Sequence, residues 1–351
     1  MAGARGYRSY RGRGSKGKIV LAVILVLVIV ASFIFIRMQE YVVYDESGQP
    51  RLSLPGDSTE QTLPEEEEEE DVNLVIQEST PKTVRAMQLS TAPLTGWDGA
   101  VLTGGTYTDQ NCDAVAVTMK DSAGHIYFDA AGAVSGAVRT EAGTAAALEA
   151  LNAADTHTIA ILSCFHDPLA ANADVEGMGL KNTGGYIFYD GNNSQWLDPA
   201  KPAARQYLCA LAEELAKLGF DEILLTDVSY PTEGKLDKIA YGDTPRAENL
   251  AAFLDEMAAA LEPYDVTLSV ELPAQAITQG SDDAAGLSLA DTAQRADRIY
   301  AAAAPADAAA LADQVEAAAQ GTDFAVMLTA ADTPPQEGSW LLPAQSGAGL
   351  S

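Results

Sequence analysis

Short, nearly unbroken apolar runs recur along the chain, at Ala86–Leu89, Ala114–Met119, Thr158–Cys164, Glu222–Thr226, Val266–Val270, Arg298–Ala301 and Phe324–Leu328, with a weaker one at Trp340–Leu342. Most do not alternate apolar with polar positions. Strands covered on both faces read that way, and parallel sheets are covered on both faces. Between the runs lie helical patterns. Leu208, Leu211, Leu215 and Leu218 recur on one helical face, with Asp198 and Pro199 ahead of them and Gly219 behind. A second face is built by Leu250, Phe253, Leu254, Met257 and Leu261, with Pro245 in the first turn. Alanine-rich stretches at Thr144–Ala154 and Ala308–Ala319 predict two more helices, with Asp307 at the N-cap position of the latter. Seven or eight strands alternating with helices predict an α/β fold of the (β/α)8 TIM-barrel type over residues 83–351. A doubly wound open sheet gives the same alternation, but no glycine-rich phosphate turn follows the first run. Little remains after Ala344 to form a closing helix, so the barrel is expected to be truncated there or finished by something else.

The N-terminus has a different pattern. Ile19 to Ile36 carries no charge and a single hydroxyl, Ser32, which is enough apolar helix to span a bilayer. Arg5, Arg8, Arg11, Arg13, Lys16 and Lys18 precede it and acids begin at Glu40. The positive-inside rule then keeps residues 1–18 in the cytoplasm and puts the barrel domain outside, held by a single-pass signal anchor at 19–36. A cleaved signal peptide is the alternative; the apolar run is long for one and no clear small-x-small cleavage site follows. Residues 37–82 read as a disordered acidic spacer, rich in Ser, Gly, Pro and Gln, with seven consecutive acids from Glu65 to Asp71.

The formal net charge of −29 argues against nucleic acid as a partner, since phosphate backbones are repelled. Cys112, Cys164 and Cys209 are scattered and odd in number, which is no disulfide framework. His125, His157 and His166 show no metal-binding spacing. No metal, cofactor or protein partner is predicted.

Two acids stand where apolar runs end. Asp227 closes the fourth run and is followed by Tyr230-Pro231; Glu271 closes the fifth. In a parallel barrel these ends open onto the face that carries chemistry. Neighbouring strands lie ~4.8 Å apart, and glycoside hydrolysis with retention uses two carboxyl groups ~5–5.5 Å apart. Asp227 and Glu271 are therefore the candidate catalytic pair, with strand-closing polar residues as the alternative. Lys120, Asp121 and Asp167 lie just past the second and third runs, where they either bind substrate polar groups or make turn contacts. Trp97, Tyr189, Trp196, Tyr230 and Trp340 fall in loops or at predicted strand ends, and aromatic faces there can stack on sugar rings. Tyr189, Tyr230 and above all Trp196, set among Gly191, Asn192, Asn193 and Gln195, are the candidate platforms.

Three stretches carry a resemblance. They are VAVTMKDSAGHIYFDA (115–130), IAILSCFHDPLAA (159–171), and the segment from Asn182 to Gly234 with Trp196-Leu-Asp198-Pro199, Gly219-Phe-Asp-Glu-Ile223, Asp227 and Pro231. Together they resemble a family of secreted or membrane-anchored bacterial glycoside hydrolases with a TIM-barrel fold. The likeness covers residues 113–234 well and the C-terminal third poorly. It implies an extracytoplasmic hydrolase of a cell-surface or environmental polysaccharide, with Asp227 as nucleophile and Glu271 as proton donor. Two positions depart from the family pattern. Ser229 stands where an arginine is usual, and the aromatic sixth strand is reduced to Ile299-Tyr300 followed by alanines. A barrel that binds carbohydrate or wall polymer without cleaving it is the competing reading. A barrel enzyme acting on esters or amides is a third, for which no GxSxG elbow speaks.

Overall fold

The computed structural model describes residues 42–44, 50–52, 83–90, 92–103 and 105–344. The chain divides into two compact units, Met1–Val75 and Ile76–Ser351. In the first unit, Val42–Tyr44 pairs antiparallel with Pro50–Leu52, Val43 opposite Arg51. This hairpin falls within the stretch read as a structureless spacer; Val-Val-Tyr is favoured in strands. The basic tail, the expected span at 19–36 and the acid run at 65–71 lie outside the described residues. Among the described residues no helix is long and apolar enough to cross a membrane.

The second unit is a closed barrel of eight parallel strands. In chain order they are β1 (Arg85–Ser90), β2 (Ala114–Lys120), β3 (His157–Ser163), β4 (Glu222–Thr226), β5 (Thr267–Glu271), β6 (Arg298–Ala302), β7 (Asp323–Met327) and β8 (Ser339–Leu342). The helices on its outside are α1 (Gly105–Asp109), α2 (Thr144–Asn152), α3 (Pro168–Ala173), α4 (Pro202–Lys217), α5 (Arg246–Leu261), α6 (Ala274–Gln279), α7 (Leu289–Ala293) and α8 (Ala308–Ala318). All eight predicted runs are strands. The weak one at 340–342 completes the barrel, pairing Ser339 with Ala325 of β7 and Trp340 with Arg85 of β1. The eighth strand is thus present, and the β7–β8 connection at 328–338 contains no helix.

The helix faces hold the expected residues. On α4, Leu208, Leu211 and Leu215 are buried, and on α5 so are Leu250, Phe253, Leu254, Met257 and Leu261. Two details differ. α4 starts at Pro202 rather than beside Pro199, because the Asp198 carboxylate accepts the Ala200 amide in a turn ahead of it. Leu218 is exposed, because the helix has ended before it and Gly219 turns the chain with φ 93°.

The barrel interior has an apolar middle. Ala86, Ala114, Ala116, Ile159, Ile161, Leu224, Tyr300, Ala325 and Leu341 pack there, with Ala325 beside Tyr300 in register. Small side chains on β1, β2 and β7 leave room for the phenol ring. Beneath this layer, at the N-terminal end, lies a charged network. Glu222, fully buried, accepts hydrogen bonds from Ser269 Oγ (2.6 Å) and the Tyr300 hydroxyl (2.9 Å), and faces His157 Nε2 (2.8 Å) and the Arg298 guanidinium. Arg298 Nε reaches Asp323 at 2.7 Å, Ser339 Oγ donates to Asp323 at 2.8 Å, and the Val84 amide donates to Ser339 at 3.0 Å. One connected chain therefore runs from β3 through β8 to the residue before β1. Burial pushes the Glu222 carboxyl up, but His157, Arg298 and Ser269 outweigh it and hold it down at about 2.

This network makes a stability prediction. Arg298→Leu leaves a buried carboxylate without its cation and should cost ~3–5 kcal/mol in urea unfolding at pH 7. Because Glu222 titrates below its ordinary value, its stabilising contribution is present above about 4.5 and is lost as pH falls towards about 2. The variant's deficit should therefore shrink on acidification.

Candidate functional site

Parallel strands bring their C-terminal ends to one face. Asp227 follows β4 directly and Glu271 is the last residue of β5, so both emerge there. β4 and β5 are hydrogen-bonded neighbours, with Leu225 opposite Val270. Both carboxylates line a cleft of about 460 Å³ with Ser229, Thr232, Asp282 and Ala302. A larger opening of about 630 Å³, with His157, Thr267 and Arg298 in its wall, lies at the opposite end of the barrel beside the Glu222 network. The smaller cleft holds the paired carboxyl groups and is the candidate site.

Asp227 is held in an unusual way. Its φ is 53°, in the left-handed region, which Asp tolerates better than most residues. The turn is fixed from both sides. Its carbonyl accepts the Phe165 amide at 3.1 Å, and its Oδ2 accepts the Ser163 hydroxyl at 2.6 Å. A side chain from the end of β3 thereby fixes the carboxylate at the end of β4. Among the described residues Glu271 has no such donor. Burial pushes its carboxyl up, the Asp227 charge adds to this, and it titrates at about 7. One carboxyl group is hydrogen-bonded and the other holds its proton near neutrality. That is the asymmetry an acid and its partner carboxylate need.

The remaining predicted residues fall elsewhere. Lys120 and Asp167 are fully buried and paired at 3.0 Å, with Lys120 Nζ also donating to the Ser163 carbonyl at 2.7 Å. Asp167 Oδ1 caps α3 through the Ala170 amide at 2.8 Å. Gly124, at φ 85°, closes over this pair; a Cβ there would lie 2.3 Å from Asp167 Oδ1. The structure thus places both in the interior, paired with each other beneath Ser163, rather than in the wall of the cleft. Asp121 closes its own turn, accepting the His125 amide at 2.9 Å and the Tyr127 hydroxyl at 2.8 Å. Burial raises its carboxyl, and these hydrogen bonds bring it below the ordinary value.

Trp196 is buried, stacked on His166 at 4.5 Å with its Nε1 donating to Asp190 at 2.9 Å. Its polar loop does not present it, because the indole is the loop's own core. Tyr230 is fully buried with its hydroxyl on Asn249 (3.0 Å), and Trp340 is buried as part of β8. Only Tyr189 of the three candidate platforms stands exposed. Sequence reasoning missed Ser163 and Asp282. The first reads as one more small residue in an apolar strand, and the second sits in a Gly-Ser-Asp-Asp-Ala turn with no spacing signal. Among the described residues no group of three or more His, Cys, Asp or Glu side chains is placed to hold a metal ion.

Because partial burial and the Asp227 charge raise the Glu271 carboxyl, its ionisation opposes folding. Its folded value lies above the ordinary 4.5, so the wild type should lose stability as pH rises from about 4.5 to about 7. Glu271→Gln should be more stable than wild type by on the order of 3 kcal/mol at pH 8 and no more stable at pH 4, measured by urea unfolding.

Solved structures to which the chain is similar include a hypothetical protein from Ruminiclostridium thermocellum, 26% identical over 46% of this chain and 85% of that one, with a TM-score of 0.40. The glycoside hydrolase domain of PgaB (BpsB) from Bordetella bronchiseptica is 15% identical over 74% of this chain and 94% of that one, TM-score 0.49. That of PelA from Pseudomonas aeruginosa is 18% identical over 77% and 97%, TM-score 0.40. No curated protein matches. Residues 105–317, more than half of the chain and the part holding β2 to β6 with Asp227 and Glu271, match the family DUF4015, described as "Putative glycosyl hydrolase domain", and the chain belongs to that family.

Proposed function

We propose that this protein is a membrane-tethered glycoside hydrolase that cleaves a cell-surface or environmental polysaccharide with two carboxyl groups. The observation that carries the reading is the pair at the ends of β4 and β5. Glu271 is protonated near neutrality and stands beside an Asp227 that Ser163 holds in place. Glu271 donates its proton to the glycosidic oxygen as the bond to the leaving sugar breaks. Asp227 attacks the anomeric carbon from the other side and forms a glycosyl ester. Glu271, now a carboxylate, takes a proton from water, which hydrolyses the ester with net retention. The adjacent strand positions favour retention over inversion, because inversion needs a wider gap for water.

A panel of aryl and oligosaccharide glycosides tests the mechanism. Glu271→Gln should lower kcat ~10²–10⁴-fold on unactivated glycosides and much less on those with a good leaving group. Activity should fall above about pH 7, as the acid loses its proton. Asp227→Gly should be inactive and regain turnover with azide, giving a glycosyl azide. Wild-type turnover in both variants would sink the assignment. Ser229 in place of the family's usual arginine favours one second reading, a barrel that binds carbohydrate without cleaving it. A wild type that binds a polysaccharide and cleaves no glycoside supports that reading.

The tether rests on the basic residues before 19 and the uncharged run Ile19–Ile36. The full chain should stay with membranes in alkaline carbonate and lose its barrel to external protease in intact cells. Release by carbonate would remove the tether from the proposal.

A further inference from the structure

Large apolar side chains that stand exposed among the described residues are few: Tyr186, Tyr189 and Leu218. Leu218 follows α4 and lies at the N-terminal end of the barrel, just before β4. The two tyrosines are three residues apart in one loop on the opposite face, between α3 and α4. Tyr186 is 76% exposed and Tyr189 is 47% exposed. A single exposed ring needs no explanation, but two large rings held outward in one short ordered loop make a local apolar patch, and such patches mark binding surfaces.

The loop that carries them is built rigidly. Asn182 and Tyr186 close a turn through the Asn182 amide and Tyr186 carbonyl at 2.7 Å, and the Asn182 side chain accepts the Gly184 and Tyr186 amides. Phe188, between the tyrosines, is buried and its amide pairs with Leu180. Below them the Trp196–His166 stack and Asp190 fill the interior of the loop. The chain therefore orders two phenol rings outward while it buries the aromatics between and beneath them.

The same loop is tied to the wall of the cleft. Its Thr183 amide donates to Lys238, the Ala240 amide donates to Lys181, and Asn192 reaches Glu233 at 3.1 Å. Glu233 follows Thr232, which lines the cleft with Ser229 and Asp227. The loops after β3 and β4 thus form one continuous wall, with the carboxylates on one part and the tyrosines further along it.

We infer that Tyr186 and Tyr189 form a distal carbohydrate platform, on which sugar rings stack beyond the bond being cleaved. The substrate is then a polymer that runs past the cleft and is cut within its length. Stacking uses the apolar face of a pyranose ring and needs no charged partner, which suits a pair of exposed phenol rings. The inference rests on the glycoside hydrolase reading for its cleavage step, but the platform itself predicts binding.

The test separates the two. The full-length protein, as Glu271→Gln to prevent turnover, is run by affinity electrophoresis through gels containing glycol chitosan, xylan, laminarin or dextran. The platform predicts retardation in at least one gel, a tenfold or greater weakening in Tyr186→Ala/Tyr189→Ala, and near-complete recovery in Tyr186→Phe/Tyr189→Phe. No retardation in any gel, or equal retardation with and without the rings, overturns the platform whatever the enzyme does. Retardation lost with the rings in a chain that cleaves no glycoside keeps the platform and overturns the hydrolase reading. Both rings are exposed, so thermal unfolding of the alanine variant should match wild type and exclude misfolding as the cause.

Discussion

Everything at the open end of this barrel depends on how one buried charge is satisfied at the closed end. Glu222 sits fully buried at the base of β4, where an isolated carboxylate would be prohibitively costly. Its partners come from β3, β5 and β6, and Arg298 extends the chain to Asp323 on β7 and Ser339 on β8. Each bond constrains strand register, because a slip of one residue would turn these side chains out of the interior. With register set there, Leu225 meets Val270, and the strands that follow deliver Asp227 and Glu271 side by side.

The two glutamates of β4 and β5 show how environment divides identical side chains. Glu222 is fully buried, and Glu271 is half-buried in the wall of the cleft. Glu222 is given a guanidinium, an imidazole and two hydroxyls, and stays ionised far into acid. Glu271 has a neighbouring carboxylate and no hydrogen-bond donor among the described residues, and keeps its proton to about 7. The first arrangement holds the barrel together. The second destabilises it at neutral pH, and a group that opposes folding persists most readily where it does chemistry.

Much of this was legible in the chain. Near-continuous apolar runs marked all eight strands, because a strand covered on both faces has no polar side to show. Asp227 and Glu271 were legible because an acid ending such a run is out of place in a core. What was hidden depended on contacts between distant segments. Lys120 and Asp167 read as residues that either meet substrate or close turns, and only the fold shows that they pair in the interior beneath Ser163. Trp196 looked displayed because its neighbours are polar, yet those neighbours wrap it. Glu222 read as the polar start of an apolar strand, since nothing local reveals that its partners lie on three other strands. Tyr186 carried no signal, because an exposed and a buried tyrosine are written alike.

The central claim is that Glu271 holds a proton near neutrality because it is buried beside the Asp227 charge. A carbon-detected NMR titration of the Glu271 side-chain carboxyl, in wild type and in Asp227→Asn, measures this directly. The account predicts a midpoint near pH 7 in wild type that moves down, but stays above the ordinary glutamate value, when the Asp227 charge is removed. A wild-type midpoint near 4.5, unchanged by the substitution, would contradict it.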